Sequence, residues 1–112
     1  EAASEALLNI IDNAAKYSDK EKFIRIITGR ENNTAFVEVE DLGVGIARND
    51  QKRIFLRFYR VASGLVHNTK GSGLGLTLVQ HIMDAHRGTV TVRSEPGKGS
   101  TFRLSFPTKN NA

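Results

Sequence analysis

The stretch TAFVEVEDLGVGI, Thr34–Ile46, carries the reading of the fold. Ala35, Val37 and Val39 have one parity, and Phe36, Glu38 and Glu40 have the other. A period of two with one apolar side is a strand with one buried face. Asp41 continues the parity of the valines, so an extended chain aims its carboxylate at the apolar side, an unusual place for Asp. Gly43 and Gly45 follow at alternate positions and let a flat ring approach the backbone closely. A carboxylate in such a pocket suits an exocyclic amine; a plain Asp-Gly turn is the other reading of the same letters.

Upstream, FIRIIT (Phe23–Thr28) is rich in β-branched residues, and GRENN at 29–33 is a turn signal, so the two runs predict an antiparallel hairpin. Residues 2–17 predict a helix, with Ala3, Leu7, Ile10, Ile11 and Ala14 in one apolar stripe. Downstream come a short helix around 48–55 and an irregular segment, 57–73, whose length marks a lid or binding loop. A second long helix is expected over roughly 74–86, with Leu74, Leu78, Ile82 and Ala85 on one face and Val79 beside them. TVTVRS (89–94), the turn EPGKGS (95–100) and TFRLSF (101–106) make a second hairpin, in which Phe102, Leu104 and Phe106 alternate with Thr101, Arg103 and Ser105. The sum is an α+β two-layer sandwich, a helical layer on a mostly antiparallel sheet.

The chain has 112 residues, 39% apolar and 25% charged, which fits one globular domain with one core. No apolar run nears the roughly 20 residues of a membrane span, and no signal-peptide pattern opens the chain. There is no cysteine, which excludes disulfide and thiolate chemistry. Three histidines without a pair at metal-ligand spacing argue against zinc. The net charge of +4 comes from scattered basic residues. Scatter argues against nucleic acid and suits solvated surface or a polyanionic ligand such as a nucleoside triphosphate.

Two further patterns bear on chemistry. Asn9, Asn13 and Lys16 fall at i, i+4 and i+7, on a stripe of the first helix apart from the apolar one. Amide carbonyls suit Mg²⁺ and an ammonium suits phosphate; an ordinary polar helix face is the alternative. KGSGLGLTLVQ, Lys70–Gln80, brings Gly71, Gly73 and Gly75 to the start of the second long helix. Bare N–H groups and the positive end of a helix dipole form an anion site there, although taken alone the pattern reads equally as a flexible loop. It is neither the dinucleotide fingerprint nor a P-loop, since no parallel βαβ unit precedes it and no Gly-Lys-Ser/Thr follows.

In combination and in this order, the patterns resemble the catalytic ATP-binding domain of bacterial sensor histidine kinases, part of the larger group with gyrase, the Hsp90 chaperones and the MutL mismatch-repair proteins. NIIDNAAKYS (9–18) is similar to the family's N box, DLGVGI (41–46) to its G1 box and RIFLRFYR (53–60) to its F box. GSGLGL (71–76) is similar to the G2 box and GKGSTF (97–102) to the final glycine box. The resemblance covers nearly the whole chain. It implies the Bergerat fold, a mixed, mostly antiparallel sheet covered on one face by about three helices. It also implies binding of ATP with Mg²⁺. By the same resemblance Asn13 would ligate Mg²⁺ with Asn9 in support, Lys16 would contact phosphate, and Tyr17 would lie beside the adenine or simply close the helix end. Asp41 would receive the adenine amino group in a pocket shaped by Gly43, Gly45 and Ile46. Arg60 would stand near the γ-phosphate at the start of the lid. Gly71, Ser72, Gly73 and Gly75 would form the lid hinge, Leu74 and Leu76 its anchors, and Thr101 would complete the nucleotide set. Phe55 and Phe58 would fasten the lid or face a partner helix, with core packing as the alternative. Turn geometry alone accounts for Gly97 and Gly99.

In the ATP-hydrolysing relatives a Glu stands four residues before the metal-binding Asn, as general base for water. This chain has Asn9 there, and an amide cannot take a proton at neutral pH. Phosphoryl transfer to a protein acceptor, which needs mainly positioning and charge neutralisation, fits better. The resemblance further implies that a strand ahead of the first helix and a helical dimerisation domain with the phospho-accepting His lie outside this chain. His67, His81 and His86 do not resemble that acceptor; His67 falls in the lid and the others on a helix surface or its end. The implied partners are that domain and, through a homodimeric full-length kinase, a response regulator. Neither nucleic acid nor direct membrane contact is expected, and the domain would be cytoplasmic whether or not the full protein is anchored in an inner membrane. An ATPase or anti-sigma-type serine kinase on the same fold, and a non-catalytic interaction module, remain the alternatives.

Overall fold

The computed structural model describes residues 2–16, 23–51, 53–55 and 75–108. The elements run α1 (Ala2–Lys16), β1 (Ile24–Glu31), β2 (Thr34–Asp41), α2 (Arg48–Gln51), α3 (Gly75–Ala85), β3 (Thr89–Glu95) and β4 (Gly99–Pro107). The four strands form one sheet in the order β1-β2-β4-β3, and every described pairing is antiparallel. The helices α1 and α3 pack on each other and on one face of this sheet, which is the two-layer α+β arrangement expected.

Strand parity decides which residues meet the helices. Val39 and Asp41 of β2 stand opposite Phe102 and Ser100 of β4, and Val92 and Ser94 of β3 stand opposite the same two residues. This face supplies Val39, Val90, Phe102 and Leu104 to the core, against Ala6, Ile10 and Ala14 of α1 and Val79, Ile82 and Met83 of α3. The buried stripe of α1 is therefore centred on Ala6, Ile10 and Ala14, with Leu7 and Ile11 packed at its flanks. On α3 the buried face is rotated from the one predicted. Met83 is fully buried while Leu78 is exposed, because this helix rests on α1 and β3 at once.

The first hairpin is longer than its sequence suggested. Gly29, Arg30 and Glu31 continue β1, and only Asn32 and Asn33 turn. Asn32 sits at φ 54°, a left-handed conformation that Asn tolerates better than most residues. The opposite face of the sheet is a lattice of charges. Arg103 pairs with Glu31 at 3.0 Å and Glu38 at 3.4 Å, and its guanidinium lies 3.8 Å from the centre of the Phe36 ring. Arg25 pairs with Glu40 at 3.0 Å, and Arg93 approaches Glu38 at 3.9 Å.

The end of α3 is closed by a Schellman arrangement: the Gly88 N–H donates to Met83 O at 2.8 Å and the Arg87 N–H to Asp84 O at 3.0 Å. Arg87 is the residue that must turn left-handed, at φ 61°. Replacing it by glycine is expected to stabilise the domain by about 0.5–1 kcal/mol, the strain relieved less the added freedom of the unfolded chain. The check is a rise in the urea midpoint at unchanged slope.

Candidate functional site

The site is built around the C-terminal end of β2. Asp41 is only 4% exposed. Its Oδ1 accepts the Gly43 N–H at 2.8 Å. Burial raises the pKa of this carboxyl above its ordinary value, the backbone N–H groups of Gly43 and Ser100 draw it down, and the Glu40 charge adds to the rise. Desolvation prevails, so the charged form is held at a cost that a ligand donor would offset.

The loop that follows, 42–46, is fastened to the turn of the second hairpin. The Gly97 N–H donates to Val44 O at 2.8 Å and the Ile46 N–H to Ser94 Oγ at 2.7 Å. Gln51 Nε2 donates to both Ile46 O (2.8 Å) and Ser94 O (2.9 Å), so α2 clamps the same loop from outside. Gly45 has φ 76°, and a Cβ there would run into the Glu95 carbonyl. Gly99 has φ 91°, and a Cβ on it would strike the carbonyl of Asp41. Glycine at 99 thus lets β4 lie close against the backbone of Asp41 and Leu42, a role beyond the turn geometry that the sequence alone assigned to it.

The hydroxyl beside Asp41 belongs to Ser100. Thr101 stands in register with Glu40, on the charged face, whereas Ser100 stands in register with Asp41. One step along a strand reverses the face, so Thr101 and Ser100 reach the cleft at this end of the sheet from opposite faces. Ser100 is itself buried, and its Oγ lies 2.7 Å from Ser94 Oγ. Neither serine was singled out in the sequence, although Ser100 shares the parity of Phe102, Leu104 and Phe106. A cleft of about 650 Å³ runs along this end of the sheet, lined by Asp41, Gln51, Ser94, Lys98, Ser100 and others from the hairpin and α2. No residue of α1 lines it.

On α1, Asn9 and Asn13 are half-buried and one turn apart. Asn9 Nδ2 donates back to Glu5 O at 2.9 Å. Lys16 Nζ pairs with Asp12 at 3.1 Å, an exposed helical i, i+4 pair. Phe55 packs edge-on against Phe102, with ring centres 6.3 Å apart, and its carbonyl accepts the Thr77 hydroxyl at 2.9 Å. Of its two readings, core packing describes Phe55. Leu76 also packs against the core. His81 is exposed on α3; His86, just past the helix, hydrogen-bonds Ile82 O through Nδ1 at 2.8 Å. Tyr17, Phe58, Arg60, His67, Gly71, Ser72, Gly73 and Leu74 lie outside the described residues.

Residues 1–110 match the family of histidine kinase-, DNA gyrase B- and HSP90-like ATPases. The chain belongs to this family. Within it, the relatives are sensor kinases. This histidine-kinase-type ATPase domain is 43% identical over 102 residues to the sensor-like histidine kinase SenX3 of Mycobacterium tuberculosis, covering 91% of the chain and 25% of that protein. It superposes on the mycobacterial sensor histidine kinase MprB with a TM-score of 0.85 at 29% identity, over 95% of this chain and 72% of the other. Full-length ShkA, solved in complex with AMPPNP, gives a TM-score of 0.81 at 29% identity, over 96% of this chain and 22% of that one. The domain thus spans about a quarter of the length of the curated relative it matches.

Among the described residues no three His, Cys, Asp or Glu side chains cluster to hold an ion. The half-buried Asn13 offers a neutral oxygen, suited to a Mg²⁺ that keeps most of its ligands from water and phosphate. Among the described residues no helix is long and apolar enough to cross a membrane.

Proposed function

We propose that this domain binds Mg-ATP and supplies its γ-phosphate to a histidine on a separate helical domain of a two-component sensor kinase. The observation that carries the reading is the buried Asp41 carboxylate, its charge held against desolvation at the end of β2 beside a loop fixed by Ser94 and Gln51. Such a group is suited to accept a donor from a ligand with an amino group on a flat ring, which would offset the cost of its burial. The AMPPNP bound by the similar ShkA supports adenine as that ring.

Asn13 would hold the metal with Asn9 in support, Lys16 would exchange its exposed Asp12 pairing for phosphate, and Arg60 would face the γ-phosphate. Mg²⁺ would supply neutralisation of phosphate charge. Ile46 and the peptide edge at Gly43 and Gly45 would form the wall against the purine. Asn9 has no basic atom with which to activate water, so the domain would protect ATP from hydrolysis until an acceptor imidazole arrives. That acceptor, its dimerising domain, the cognate response regulator and a cytoplasmic setting belong to the same proposal.

Two measurements test it. Asn13→Ala is expected to abolish the Mg²⁺ dependence of ATP binding in calorimetry; persistence of that dependence refutes the metal role. Incubating the domain and γ-labelled ATP with the full-length protein's own helical acceptor domain is expected to label a histidine there. Steady phosphate release by the domain alone, without such labelling, would point to an ATPase instead.

A further inference from the structure

The hydroxyl groups of Ser94 and Ser100 form a chain whose protons can be counted. A serine hydroxyl has one proton to give and two lone pairs with which to accept. Ser94 Oγ donates to the Gly99 carbonyl at 2.8 Å, which uses its only proton, because a carbonyl cannot donate. It accepts the Ile46 N–H at 2.7 Å. The remaining contact, 2.7 Å to Ser100 Oγ, must then run from Ser100 to Ser94. Ser94 is saturated with one bond given and two received, and Ser100 has spent its proton.

What Ser100 retains are acceptor lone pairs. It stands in register with Asp41 on the helix-facing side of the sheet, where directly opposed side chains have Cβ atoms about 4.5–5.5 Å apart. Asp41 is also an acceptor, and the contact with Gly43 engages its Oδ1. This end of the sheet therefore presents two acceptors side by side. A 6-amino purine carries two N–H bonds on one nitrogen and can serve both. A 6-oxo purine would set a third acceptor against them.

We propose that Ser94 is a specificity-determining positioning residue: by holding the Ser100 proton away from the site it makes Ser100 an acceptor, and so sets the preference for 6-amino over 6-oxo purine nucleotides. The inference rests on the ATP reading above and extends it to a residue that acts through another. Without the Ser94 hydroxyl, Ser100 is free to turn its proton outward and donate to a purine O6.

The test is the ratio of GTP to ATP dissociation constants, measured on the full chain by displacement of a fluorescent ATP analogue. Ser94→Ala also strips partners from Ile46 N–H and Gly99 O, and that loosening weakens both nucleotides alike; the ratio is insensitive to it. Ser94→Ala is expected to lower the ratio about tenfold, the scale of one mismatched hydrogen bond. Ser94→Thr, which keeps the hydroxyl, should preserve it. Ser100→Ala should lower it too, and the double variant no further than Ser100→Ala alone. Should the alanine variant fail to fold, Ser94→Cys, with a much weaker hydrogen-bonding group, reads the same ratio. ATP binding that persists with an unmoved ratio overturns this inference alone. Failure of the unaltered chain to bind ATP overturns it together with the proposed function.

Discussion

Asp41→Asn is expected to weaken ATP binding ten- to a hundredfold while raising the melting temperature of the empty domain. The two effects have one cause. Asp41 is buried, and burial lifts its carboxyl pKa in the folded state. For an acid whose folded pKa is raised, the native state binds the proton more tightly than the unfolded one. Stability then falls as pH climbs from the ordinary carboxylate value through the raised one, and the loss persists at neutral pH. An amide carries no charge to desolvate, and its oxygen can still accept the Gly43 N–H. The unliganded fold should gain. The ligand loses a charged acceptor, about 1–3 kcal/mol, and an amide whose oxygen accepts the Gly43 N–H turns its own NH₂ against the ligand's amino group, donor against donor. In the unaltered protein the same acceptor is lost by protonation, so ATP affinity should drop as pH falls below the raised pKa, and this drop should vanish in Asp41→Asn. Calorimetry at several pH values with thermal melts of both proteins checks the whole set; a variant with lower affinity and lower melting temperature would show that Asp41 serves the fold.

Phe102→Ala is the change with the largest expected cost to stability, about 3–5 kcal/mol. Phe102 is 1% exposed and heads the fully buried side chains by volume. It stands in register with Val39 on one side and Val92 on the other, and Phe55 packs edge-on against it. No smaller group fills a space bounded by two strands and a ring, so the cavity stays. Against a total stability of about 5–15 kcal/mol for such domains, the loss brings the fold near its limit. Leu8→Ala, at a site 64% exposed, is the control and should change stability by no more than about 0.5 kcal/mol. Urea denaturation of the two variants separates them: the midpoint should collapse for the first and hold for the second.

The parts of this fold that the sequence disclosed are those set by local alternation. The parity of Thr34–Asp41 places Asp41 on the apolar side of the strand, and the alternation around Phe102 places β4. The same parity, applied one residue earlier than Thr101, puts Ser100 beside Asp41. What stayed hidden depends on contacts between distant residues. β1 runs on to Glu31 because Arg103 of β4 holds that glutamate and the Phe36 ring lies over Gly29, while the local letters GRENN spell a turn. The buried face of α3 follows from two neighbours, α1 and β3, which one helix's periodicity cannot contain. The bonds from Ser94 to Ile46 and from Gln51 to Ser94 cross more than forty residues of chain, and no short pattern announces them.

The lattice on the outer side of the sheet has an electrical consequence. Three arginines, Arg25, Arg93 and Arg103, meet three glutamates, Glu31, Glu38 and Glu40. Opposed charges in such close order cancel beyond a few ångströms, and salt screens what remains. The three pairs of opposite sign leave this side of the sheet without net charge. A polyanion that drifts toward this side of the sheet meets no long-range pull from it.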